Sequence, residues 1–197
     1  MKEIKGYKKE DKYYKVYDKS GKLKRIIATD EEKSLSEEEW LNGVSCFVIN
    51  ENGEVLIEKR VNKGLTPGKL DLCSGHTDEE ETTTQAMIRE LKEELGIEIE
   101  EAINVIKLDD KPLPLEFASS NRKRKFFITF YCLKRKTSEV KIQEEEIEKI
   151  VWLPLHEVLA LIRSGRTKFP ADFNYEEIFQ KLRDVIDNKR EIDAITK

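Results

Sequence analysis

The chain has 197 residues, enough for one domain of ordinary size and marginal for two. Its 36 Lys and Arg against 40 Asp and Glu leave a net charge of −4, a mixed surface that excludes a nucleic-acid binder relying on bulk charge. Cys46, Cys73 and Cys132 are odd in number and widely spaced, which argues for buried thiols in a reducing compartment and against a disulfide frame or a zinc site. Residues 1–18 alternate Lys, Tyr and acidic residues and do not read as a secretory signal. Nor is there an apolar stretch long enough to span a bilayer, so a cytoplasmic protein is expected.

In chain order, residues 13–17 and 23–29 read as a strand pair turned at Lys19-Ser20-Gly21. The acidic stretch 30–39 reads as loop or a short helical turn. The clearest hairpin is 44–49 with 55–59, for which Asn52-Gly53 is expected to supply two positive-φ turn positions. Residues 63–69 carry two glycines and a proline and predict a loop. A short strand at 70–74, a polar loop at 75–81 and the N-cap candidates Thr82, Thr83 and Thr84 lead into a helix over 83–95, with Gly96 at its C-terminal cap. Beyond it, 97–108 and 126–133 read as strands separated by a Pro-containing loop that carries the basic run 122–125. A strand at 147–153, a helix at 155–163 and a terminal helix at 175–188 complete the order. Strands interrupted by few helices predict an α/β (α+β) domain with a mixed sheet.

The helix after Gly75 carries the chemistry. At about 100° per residue, Met87, Ile88, Leu91 and Leu95 share one arc that faces a core. Glu90, Glu93 and Glu94 share a second arc beside it. Three carboxylates on one face repel one another, and a cation at their focus removes that cost. Oxygen donors of this kind suit Mg²⁺ or Mn²⁺. Arg89 lies beside the acidic face and can hold a carboxylate in place, Glu81 can join from the preceding loop, and Gly75 lets a backbone carbonyl come close.

Gly75, five residues, Glu81, seven residues, then Arg89-Glu90-Leu91-Lys92-Glu93-Glu94-Leu95-Gly96-Ile97 resembles the Nudix box at every specified position. The resemblance implies a Nudix fold, a mixed β-sheet sandwiched between helices. It also implies metal binding by Glu90, Glu93 and Glu94, with Gly75 close by and Glu81 and Arg89 in a supporting salt-bridged network. The implied activity is hydrolysis of a nucleoside diphosphate derivative, a small-molecule diphosphate, by water attack on phosphorus; a carboxylate acts as general base, and which one stays open. A single domain over 1–197 is expected, with an N-terminal strand extension at 1–40, a core at 43–165 and a C-terminal helical segment at 166–197. Strands outside the box are candidates for pairing two subunits in a homodimer.

The flanks resemble the branch related to isopentenyl-diphosphate isomerase, through residues 56–60, Lys63, Pro67-Gly68, Ser74-Gly75-His76 and residues 169–173. This implies substrate-phosphate contacts by Arg60 and Lys63. Isomerisation, the alternative activity, needs a Cys and a Glu. Here Ser74 stands at the cysteine position with Cys73 one residue away, and Lys125 stands at the glutamate position. A non-catalytic nucleotide sensor is a third alternative. His76 as a metal ligand, the Glu144-Glu145-Glu146 loop as a further acidic contribution, and Trp40, Phe169 and Phe173 as base-stacking rings are weaker candidates, for which loop, solvated and core roles are the bland alternatives.

Overall fold

A computed structural model describes residues 12–61, 68–100, 104–119 and 122–187. A hairpin of β1 (Tyr13–Tyr17) and β2 (Leu23–Ala28) leads through a 3-10 turn at Thr29–Ser34 to the long strand β3 (Trp40–Ile49). Then follow β4 (Glu54–Arg60), β5 (Leu70–Asp71), β6 (Cys73–His76) and the helix α1 (Thr83–Leu95). The order closes with β7 (Ile106–Lys107), β8 (Leu113–Ser119), β9 (Arg122–Lys134), β10 (Ile147–Pro154), α2 (Leu155–Arg163) and α3 (Glu176–Asp187). No helix among the described residues is long and apolar enough to cross a membrane.

The strands make one mixed sheet. β3 runs parallel to β9 in unbroken register, from Trp40 opposite Lys125 to Ile49 opposite Lys134. The pairings of β4 with β10, β8 with β9 and β6 with β3 are antiparallel. Period-two alternation sorts the two faces. Phe47, Ile49, Val55, Ile57, Phe130 and Cys132 share a core with Val158, Ile162, Phe179 and Leu182 of α2 and α3. Their neighbours Cys46, Val48, Leu56, Tyr131 and Leu133 share another with Ala86, Met87, Leu91 and Leu95 of α1. The sheet is therefore covered on both faces, as expected, and all three cysteines are free and buried.

Several elements depart from the sequence reading. β3 begins at Trp40, before the expected residue 44, and passes through Gly43. A Cβ there would stand 2.8 Å from the Ile128 side chain and 3.2 Å from the Gly75 carbonyl oxygen, so the close approach of β9 and β6 requires glycine. In the β3–β4 turn only Gly53 has positive φ (80°); the Asn50 side chain instead accepts from the amides of Asn52 and Glu54. The expected strand at 70–74 is two strands, β5 on β4 and β6 on β3, with Leu72 at the crossing. Among the described residues of the expected strand at 97–108, only Ile106–Lys107 joins the sheet. Ile97 donates its amide to Leu91 O at the helix end and buries its side chain under α1.

The basic run expected in a loop lies in β9, paired with β8. Pro114 is tolerated in β8 because, among the described residues, that strand pairs with β9 alone. Arg124 is buried with its Nε 3.3 Å from Glu32, and the Lys125 ammonium sits 5.6 Å over the Trp40 ring. These charges are held within the fold.

Candidate active site

Helix α1 is well delimited. Thr82 caps its N-terminus by accepting the Gln85 amide, while the Gln85 side chain accepts the Thr82 amide. Gly96, at φ 63°, closes the other end in the left-handed conformation. Met87, Leu91 and Leu95 are fully buried and fix the rotation of the helix. That rotation gives the three glutamates unequal environments, which the wheel did not separate. The Glu94 side chain is 3% exposed, that of Glu90 12% and that of Glu93 49%.

Arg89 is the hub. Its Nε and Nη2 donate to the two oxygens of Glu81 at 2.8 and 2.9 Å, and Nη2 also donates to the His76 carbonyl at 2.9 Å. Its Nη1 donates to Glu90 at 2.6 Å and to Glu93 at 3.1 Å. One guanidinium thus gathers three carboxylates, and the bond to Glu81 leads the causes that hold it firmly protonated. Glu81 also accepts the Asp78 amide at 3.1 Å, so both its oxygens are occupied.

Gly75 packs directly on Glu90: a Cβ there would fall 1.9 Å from Glu90 Oε1. Burial pushes the Glu90 carboxyl upward against the lowering effect of Arg89. Gly75→Ala is therefore expected to displace Glu90 and weaken divalent-metal affinity by about 10–100-fold. Unchanged affinity in a Mn²⁺ titration would contradict the packing argument.

Glu94 lies deeper. It accepts the Ser74 amide at 3.0 Å and Arg60 Nη1 at 3.1 Å. Burial first, then the neighbouring Asp71 and Glu90 charges, push its carboxyl up to about 7. Arg60 spans an acidic group: besides Glu94 it lies 3.7 Å from Asp71 and 3.7 Å from Glu146. Lys63 lies outside the described residues. Glu146, in the loop before β10, is half exposed and its charge bears on Glu90, which brings that loop to the cluster.

Glu58, Asp71 and Lys168 belong to the same neighbourhood and were not singled out in the sequence. Lys168 pairs with Asp71 at 2.7 Å and also donates to Ser74 Oγ. Alternation offered a signal for Glu58. It stands two residues before Arg60 on β4 and therefore shares its face.

The other weaker candidates fall elsewhere. The His76 ring stacks on Tyr14 at 4.8 Å and meets the Phe126 edge at 5.2 Å, and its Nε2 lies 3.9 Å from Glu32. Burial, reinforced by nearby cations, lowers its pKa to about 4, so the ring is neutral at pH 7. Trp40 stacks on Phe127 and Phe169 is buried in the core, which leaves neither ring free for a base. Phe173, half-buried beside Tyr175, lines a cleft of about 380 Å³ with Phe117, Pro114 and Pro170.

The pairing needed for isomerisation is not assembled at the expected positions. Ser74 Oγ contacts Asp71 and Lys168, Cys73 is fully buried, and Lys125 lies on Trp40 and near Glu116.

The sequence model of the NUDIX domain matches residues 39–173. The chain belongs to the Nudix family. Nudix hydrolase 5 of Arabidopsis thaliana is 31% identical over 118 residues, 58% of this chain and 36% of that protein. An isopentenyl-diphosphate Delta-isomerase of Salmonella paratyphi B is 40% identical over only 57 residues, 28% of this chain and 32% of that one. The chain thus spans about a third of the length of these curated relatives. A solved protein from Deinococcus radiodurans shares the fold with a TM-score of 0.58 at 21% identity, covering 87% of this chain and 98% of that one.

Proposed function

We propose that the chain, a single Nudix domain over residues 1–197, hydrolyses the diphosphate linkage of a nucleoside diphosphate derivative by water attack on phosphorus, using Mg²⁺ or Mn²⁺. The observation that carries this reading is the Arg89 hub. It holds Glu81, Glu90 and Glu93 together while Glu94 is buried beside them with a raised pKa.

Crowded, partly desolvated carboxylates are costly without a cation, and oxygen donors on a helix face fit a hard divalent ion. Glu90, Glu93, Glu94 and the Gly75 carbonyl would hold it, with Arg89 and Glu81 as positioning residues. When bound, such ions neutralise phosphate charge, acidify water and stabilise the leaving oxygen. Glu93 and Glu146 are the exposed carboxylates at the rim, where a water can reach them, and one of them takes the water's proton. Arg60, a quarter exposed, and Lys63 are assigned to substrate phosphate.

Protons and metal compete at Glu94. With its pKa near 7, apparent Mn²⁺ affinity is expected to rise about tenfold from pH 6 to pH 8. The folded pKa lies above the ordinary 4.5, so this group lowers the stability of the metal-free protein as pH climbs from 4.5 to about 7. The gain in Tm on adding Mg²⁺ is therefore expected to be larger at pH 8 than at pH 6. An equal gain at both would contradict the assignment of Glu94 as a ligand.

The activity is tested with ADP-ribose, dinucleoside polyphosphates, nucleotide sugars, (d)NTPs and isopentenyl diphosphate, each with Mg²⁺, with Mn²⁺ and with chelator. Cleavage of one nucleotide class, abolished by chelator, is the expected result. Silence across the nucleotides with rearrangement of isopentenyl diphosphate would replace hydrolysis by isomerisation.

A further inference from the structure

Behind the Arg89 hub lies a second set of ligand-type atoms. Glu58 of β4, Cys73 of β6 and Glu94 of α1 bring two carboxylate oxygens and a sulfur within 4.8 Å of one another. All three residues are buried, Glu58 and Cys73 completely. Neither Glu58 oxygen has a hydrogen-bond partner. Buried carboxylates almost always have partners, so an orphan aimed at a thiol and a second carboxylate requires an explanation.

We propose that Glu58, Cys73 and Glu94 form a buried three-donor thiolate–carboxylate site for a borderline-soft divalent cation of the Zn²⁺ or Cd²⁺ type, adjoining the open all-oxygen cluster and sharing Glu94 with it. Mg²⁺ does not suit it, because that ion takes oxygen ligands and keeps several waters. Zn²⁺ accepts sulfur at about 2.3 Å and carboxylate oxygen at about 2.0–2.2 Å in tetrahedral sites. Those bonds place ligand atoms about 3.5 Å apart, so donors that lie within 4.8 Å of one another need to close by no more than roughly 1 Å.

As the ion binds, two protons leave to solvent: the Cys73 S–H proton, and the proton that burial and the neighbouring Glu94 and Asp71 charges favour on the Glu58 carboxyl. The cysteine spacing argued against a zinc site; a single cysteine with two glutamates from other elements leaves no spacing signature. Glu94 belongs to both sets, so an ion held behind the cluster constrains a carboxylate that the open cluster uses. The site shares Glu94 with the hydrolase reading, but it is read by a spectrum and stands or falls independently of turnover.

The test is a Cd²⁺ titration of metal-free, reduced protein in excess Mg²⁺, following the ultraviolet thiolate-to-cadmium absorption. A band that saturates at a single equivalent is expected. It should persist in Cys132→Ala, vanish in Cys73→Ala, and require at least about tenfold more Cd²⁺ in Glu58→Gln. Cys73→Ser keeps the side-chain size and serves if the alanine variant does not fold; the band must vanish there too. No band in the wild-type protein, or an unchanged midpoint in a folded Cys73 or Glu58 variant, overturns the site.

Discussion

Glu94→Gln is expected to lower kcat by at least about 100-fold while leaving the protein folded. The amide keeps the size of the side chain and can accept either the Ser74 amide or Arg60, one of the two bonds Glu94 makes. It removes the negative charge that burial, Asp71 and Glu90 already oppose. Loss of one bond and relief of that repulsion act in opposite directions. The melting temperature of the metal-free variant should therefore stay within about 5 °C of the wild type. Retention of full activity would remove Glu94 from the site, and collapse of the fold would mean that its role is structural.

Arg89→Ala is expected to do the reverse, damaging fold and activity together. The substitution removes five hydrogen bonds from one side chain and leaves Glu81, Glu90 and Glu93 facing one another without a cation. Breaking a buried ion pair from one side costs about 3–5 kcal/mol; Arg89 is a fifth exposed, which reduces the expectation to about 2–3 kcal/mol. Arg89→Lys retains the charge, but a single ammonium cannot span Glu81 on one side and Glu90 on the other. It should recover part of the stability while turnover stays about 10–100-fold down. Thermal melts and kinetics on the three proteins check this, and an alanine variant with unchanged Tm would show that the hub bears no load.

The box made the helix, its cap at Gly96 and its acidic face legible, because each follows from residues close in sequence. Long-range geometry was less visible. The wheel grouped Glu90, Glu93 and Glu94 as equals, whereas packing of Met87, Leu91 and Leu95 buries Glu94 and leaves Glu93 half exposed. Glu58 and Asp71 lie in strands whose significance depends on which strand each pairs with. Lys168 reaches Asp71 from almost a hundred residues away. The β8–β9 hairpin was hidden by Pro114 and by four consecutive basic residues. Glu32 and the Trp40 ring, both distant in sequence, supply partners for Arg124 and Lys125.

Mn²⁺ binding reads whether Glu90 and Glu93, gathered by Arg89, and the buried Glu94 beside them form one metal centre. Loss of the free-ion paramagnetic resonance signal is to be measured on metal-free wild-type protein and on Glu94→Gln at pH 8. Saturable binding by the wild type, weakened at least about tenfold in the variant, is the predicted result. Free Mn²⁺ signal undiminished by the wild-type protein would rule out a metal centre on these carboxylates, and equal binding by both proteins would remove Glu94 from it.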